Sequence, residues 1–165
     1  MIEGAGADHR IASIVIDERS LAATTREAEH ERQVAIFDLL EANVFEPDGA
    51  ERGPYDVALS LIDGRLAFDI GSPEVDGRRA FEKRHLLSLT PFRPLIKDYF
   101  MHCDSYYAAI RNASPSQIEV LDMGRRGLHN QGSELLMERL DGKVKTDLDT
   151  ARRLFTLICA LYRRP

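Results

Sequence analysis

Tryptophan is missing from this 165-residue chain, cysteine occurs twice and lysine four times. Two cysteines cannot build a disulfide scaffold, and neither Cys103 nor Cys159 has a histidine or a second cysteine at motif spacing. Both fall on apolar helical stripes, where each reads as a buried small hydrophobe. No His-x-x-x-His or Cys-x-x-Cys pair occurs, and there is no P-loop or dinucleotide fingerprint, so neither a metal nor a cofactor is expected. No uninterrupted apolar run approaches the roughly 18 residues of a membrane span. The first ten residues, MIEGAGADHR, are partly acidic and lack an apolar core, so they do not read as a secretory signal and the expected compartment is the cytoplasm.

What is present suits an ordinary globular domain: 44% apolar and 30% charged residues, with a net charge of −5. A chain of this size can bury roughly 70% of its unfolded surface, enough to fold without staples. One domain over 1–165 is expected, with 1–9 as a flexible N-terminus and 71–80 as a loop. The acidic balance argues against a generic nucleic-acid or membrane-surface binder. That mean hides a split. Residues 1–80 carry 17 acidic and 8 basic side chains, whereas 81–165 carry 10 acidic and 14 basic. Either the acidic half packs against the basic one, or the basic half presents an anion-binding surface. Only Lys83, Lys97, Lys143 and Lys145 are lysines; arginine is the better bidentate partner for carboxylate or phosphate, although a G+C-rich genome gives the same bias.

Local patterns give the elements. The β-branched run at 11–16 (IASIVI) is apolar on both faces, as a central strand would be. Thr24 and Glu27 stand at capping-box spacing, and Ala28, Val34, Phe37 and Leu40 mark a helix over 25–42. Turn chemistry at 46–53 (EPDGAERG) precedes two alternating runs, 55–61 and 66–70, that flank Asp63-Gly64. Asp-Gly there signals a hairpin, because both central residues of a type I′ turn need positive φ. A weaker strand is expected at 85–89.

The second half reads as helical. Thr90 and Pro91 look like an N-cap and first helical residue, followed by a nine-member apolar stripe from Phe92 to Ile110 that is expected to be core. Ser114 and Gln117 make another capping box. A last helix starts near Asp147, with Leu148, Ala151, Leu154, Phe155, Ile158 and Tyr162 inward and Arg163 and Arg164 at its negative end. The expected fold is α+β: about four strands in a partly antiparallel sheet, with one N-terminal and three C-terminal helices packed on it.

One segment departs from the rules around it. Residues 122–134 (DMGRRGLHNQGSE) hold Gly124, Gly127 and Gly132, each costing about 1 kcal/mol relative to alanine inside a helix. If the helix is unbroken, Asp122, Arg126, His129 and Ser133 share a face, with Arg125 beside them. If Gly124 or Gly127 ends it, Asn130 caps a second helix whose N-terminus, with the two arginines, would hold an anion. The plain alternative is an ordinary ion pair between Asp122 and Arg126, with glycines that admit a neighbouring helix. An unbroken helix sets Asp122 and His129 about 10 Å apart, too far for one metal ion.

Three blocks, TPFRPLIKDYFMHCDSYYAAI (90–110), IEVLDMGRRGLHNQGSELLMERL (118–140) and DTARRLFTLICAL (149–161), resemble uncharacterised protein family 0262, a group of bacterial proteins of about this length. The resemblance covers the chain from RIASIVIDE onward. It implies a cytosolic protein and carries no assigned activity, substrate, cofactor or catalytic residue.

The leading expectation is a binding or regulatory module in which Asp122, Arg125, Arg126, His129, Asn130 and Glu134 surround an anionic group, from a small molecule or an acidic protein segment. One rival is a small hydrolase or transferase with His129 as general base and Asp122 or Glu134 as its partner. Another is an adaptor subunit whose function is an interface. Composition fixes neither the oligomeric state nor whether the chain is an enzyme.

Overall fold

The computed structural model describes residues 7–21 and 25–162. Thr24, Arg163, Arg164 and the first six residues lie outside them. The described part of the N-terminal segment is hydrogen-bonded into the fold: Ala7 and His9 carbonyls accept from Gly53 and Phe45, and His9 Nδ1 meets the Tyr55 hydroxyl at 2.6 Å.

Four strands form one mixed sheet: β1 (Ile11–Ile16), β3 (Tyr55–Ile62), β4 (Arg65–Gly71) and β5 (Glu82–Ser88), in that spatial order. β1 runs parallel to β3, and the other pairs are antiparallel. The hairpin forms where its turn chemistry places it, with Asp63 at φ 50° and Gly64 at φ 74°. Alternation sends Tyr55, Val57, Leu59, Leu66, Phe68, Ile70 and Leu87 into the core. Ser13, Asp56, Asp69 and Arg84 occupy the opposite face, where Arg84 pairs with Asp69. Two further strands, β2 (Phe45–Pro47) and β6 (Val144–Thr146), pair antiparallel as a separate ribbon that the turn-like sequence at 46–53 did not suggest.

Helix α1 (Arg26–Glu41) follows β1, and Thr25 caps it by accepting from the Ala28 amide. Its buried stripe is Ala28, Arg32, Ala35 and Leu39, while Val34 and Phe37 are exposed. Of the expected stripe, Ala28 and the half-buried Leu40 face inward, whereas Val34 and Phe37 do not. A small-residue face packs closer than a bulky one, and α1 uses its alanines against the last helix.

Helices α2 (Arg93–Asn112) and α3 (Pro115–Leu140) form a hairpin, and α4 (Leu148–Tyr162) runs beneath it. Thr90 does not cap α2. A short 3₁₀ turn, Thr90–Phe92, precedes it, with no side-chain cap on either. The expected nine-member core stripe is also corrected: Phe92 and Ile96 are buried, whereas Tyr107 and Ile110 are exposed. By the 1.5 Å rise, α2 and α3 are about 30 and 39 Å long against about 22 Å for α4, so the distal hairpin outruns the layer beneath it. The α3 capping box forms as read, with Ser114 and Gln117 exchanging both bonds. α4 is the central helix of the core, buried at nine of its 15 residues. Leu148 at its start is exposed and Tyr162 half-buried.

Candidate functional site

Helix α3 runs unbroken through all three glycines, so Asn130 caps nothing and no helix N-terminus opens at 122–134. The broken-helix anion geometry is thereby excluded. Two glycines have a packing cause. A Cβ on Gly132 would overlap the ring of Phe155 on α4, and one on Gly124 would stand 2.9 Å from His102 Nδ1 on α2. Nothing within 4 Å explains Gly127.

Because Gly132 lets α4 approach, the mid-α3 side chains meet those of α4 and α2 around a cavity of about 530 Å³. Arg125, Arg126, His129 and Asn130 line it from α3, Arg152 and Thr156 from α4, and Tyr99 from α2. Three guanidinium groups face this space and no carboxylate does. Their counter-charges stand behind: Asp122 pairs with Arg125 and, at 3.0 Å, with Arg126, and Asp149 pairs with Arg152 at 3.3 Å. The balance is one positive charge in excess.

Arg125 is the most constrained of the three. Its guanidinium lies 4.8 Å from the Tyr106 ring centroid, its Nη2 donates to Asp122, and its buried Nε has no hydrogen-bond partner. A buried N–H left unpaired costs about 1–3 kcal/mol, a penalty that the bond to Asp122 and the Tyr106 contact offset. The Asp122 carboxyl is held below the usual carboxylate range, chiefly by the Arg125 hydrogen bond.

His129 sits against the rings of Tyr99 and Phe155, with centroids 5.5 and 5.3 Å away. Burial lowers its pKa below the ordinary value, and the Arg152 and Arg125 charges lower it further. Its Nε2 lies 2.8 Å from Thr156 Oγ1, whose own proton goes to the Arg152 carbonyl at 3.0 Å. Thr156 therefore accepts, Nε2 carries the proton of the neutral ring, and Nδ1 keeps a lone pair. The imidazole is an uncharged, oriented polar group in a cationic pocket.

The sequence-derived set divides on this geometry. Arg125, Arg126, His129 and Asn130 come together; Asp122 serves them from behind; Glu134 is exposed and lines no part of the cavity. The expected histidine–carboxylate dyad is not formed, since His129 bonds Thr156 and Asp122 is engaged by arginines. Ser133 is fully buried and its hydroxyl donates to the His129 carbonyl at 2.8 Å. Sequence reasoning missed Tyr99, Arg152 and Thr156. The four-residue step from Arg152 to Thr156, which puts both on one face of α4, was the available signal. Among the described residues there is no cluster of three or more potential metal ligands, and no helix is long and apolar enough to cross a membrane.

A family model described as "Uncharacterised protein family (UPF0262)" matches residues 8–164. The chain is 70% identical over 164 residues to a UPF0262 protein of Caulobacter vibrioides strain NA1000 / CB15N, covering 99% of both. It is 61% identical over 164 residues to one from Phenylobacterium zucineum, again covering 99% of both. A UPF0262 protein of Agrobacterium fabrum is 55% identical over 160 residues, covering 97% of this chain and 99% of that one. No solved structure matches. The three blocks that suggested a bacterial family thus extend into near-complete alignments, and the chain belongs to the uncharacterised protein family UPF0262.

Proposed function

We propose that this protein is a cytosolic binding module that accepts an anionic group between α3 and α4. The observation that carries the reading is a cavity lined by three arginines and no carboxylate. Arginine offers a planar fork suited to carboxylate or phosphate oxygens, and partial burial strengthens each such bond over its value in water. A neutral His129, with Asn130, adds hydrogen-bonding capacity without adding charge. An enzyme built on His129 finds less support, because no carboxylate orients the imidazole. The charge split of the sequence fits: Arg125, Arg126 and Arg152 all come from the basic half, and their partners Asp122 and Asp149 are local.

Thermal denaturation with increasing inorganic phosphate tests the reading. A ligand at 100 times its dissociation constant stabilises by about 2.7 kcal/mol. For a domain of this size that raises Tm by roughly 5–10 °C. The double variant Arg126→Gln with Arg152→Gln, at partly exposed positions, is expected to keep its fold and lose the response. An equal response in wild type and variant, or none in either, overturns the proposal.

A second observation favours an interface as well. Met101, Tyr107, Ile110, Val120 and Met123 are each at least half exposed on the distal α2–α3 hairpin, where an adaptor surface would lie. Sedimentation of the purified chain tests this: a monomer at all concentrations counts against self-association there.

A further inference from the structure

The cationic cavity has a neighbour at Thr156. A second cleft, of about 370 Å³, opens between α1, α2 and α4, and it shares Tyr99 and Thr156 with the first. Its character is opposite. Val34 and Ala35 of α1, Phe100 and Tyr107 of α2, and Cys159 and Ala160 of α4 make its walls. Along α4 the change is ordered by helical spacing: Arg152, Thr156 and Ala160 follow at steps of four, so one stripe of about 12 Å runs from charged to apolar. Glu31 and Asp38 of α1 also border the apolar cleft, which disfavours a second anionic group near it. Val34 and Tyr107, at 45% and 60% exposure, leave apolar surface uncovered along this stripe.

We propose that the two cavities form one site for an amphiphilic anion, with a carboxylate or phosphate head among Arg125, Arg126 and Arg152 and an apolar tail along Val34, Tyr107 and Ala160. This rests on the anion reading above and adds the class of ligand. The occupant is a small molecule because the two clefts, of about 530 and 370 Å³, are of the size that small ligands fill.

Calorimetric titrations of the full chain with inorganic phosphate, butyl phosphate and octyl phosphate separate head from tail. Octanoate distinguishes a carboxylate head, octanol reports the tail alone, and all are kept below their aggregation concentrations. Each buried methylene tightens binding roughly two- to fourfold in a half-open groove. Octyl phosphate is therefore expected to bind at least about tenfold more tightly than butyl phosphate. Val34→Glu and, independently, Tyr107→Ser change exposed side chains and are expected to remove that gain while leaving inorganic phosphate binding intact. Arg126→Gln with Arg152→Gln removes the head contribution for every anion. Equal affinity for inorganic and octyl phosphate overturns the tail assignment and leaves the anion site standing. A tail gain that survives both groove variants also overturns it. Octanol binding as tightly as octyl phosphate, or no anion binding at all, overturns both proposals.

Discussion

Gly127 and Gly132 sit five residues apart on the same helix, yet alanine at each is expected to act with opposite sign. At Gly127 nothing lies within 4 Å of the added methyl. The change gains only the backbone preference of alanine over glycine in a helix, roughly 0.5–1 kcal/mol. At Gly132 the methyl would fall inside the Phe155 ring. That ring is fully buried and stands against Phe92, Tyr99 and His129, so it has no rotamer to escape into. Overpacking of this kind costs about 1–3 kcal/mol, and the rigid surroundings place Gly132 near the top of that range. After the helix-propensity gain the net loss is about 2 kcal/mol, or roughly 4–8 °C in Tm. Urea unfolding followed by far-ultraviolet circular dichroism measures both variants, since the chain has no tryptophan to report. Gly132→Ala as stable as wild type, or Gly127→Ala less stable by more than about 1 kcal/mol, would refute the claim that this segment is glycine-rich for helix approach.

Other consequences are smaller. His85 and His129 both have pKa values lowered in the fold, each mainly by burial, with Lys83 and Lys143 acting on His85 and Arg152 and Arg125 on His129. The unfolded chain then takes up protons first as pH falls below about 6.5, so stability is complete above that value and declines beneath it. His129→Gln should flatten part of the decline in the urea midpoint between about pH 7 and pH 5.5; superimposable profiles would contradict the assignment. Ser114→Ala removes the acceptor for the Gln117 amide and should cost about 1 kcal/mol in the same assay, with no loss counting against the capping box.

Local chemistry was legible where a residue's environment is set by its neighbours in sequence. Asp63-Gly64 gave the hairpin, Ser114 and Gln117 the start of α3, and the alternation at 55–61 the inward face of β3. What failed depended on distance. The α1 stripe was right at Ala28 and Leu40 and wrong at Val34 and Phe37, whose places on the inward face are taken by Arg32, Ala35 and Leu39. The outer half of the α2 stripe is apolar without being core, because no third layer reaches it. The ribbon of β2 with β6 joins segments about a hundred residues apart, three residues each, too short for any period to show.

The site followed the same division. Arg125, Arg126, His129 and Asn130 were found because they share a helix and a glycine-marked irregularity. Arg152 and Thr156 join them only through the close crossing at Gly132 and Phe155, a fact about two helices and not about either one. The charge split was the one long-range clue. Arg84 pairs with Asp69 across the two halves, whereas Arg125, Arg126 and Arg152 pair within their own helices, with Asp122 and Asp149.

The central claim is that Arg125, Arg126 and Arg152 together hold an anion between α3 and α4. The Arg125 Nε–Hε resonance, assigned with Arg125→Lys, can be followed by nuclear magnetic resonance as inorganic phosphate is added. The account predicts a saturable shift of Arg125, accompanied by Arg152 at the same midpoint. Shifts confined to exposed arginines such as Arg19 and Arg65, with Arg125 unmoved at saturating phosphate, would contradict it.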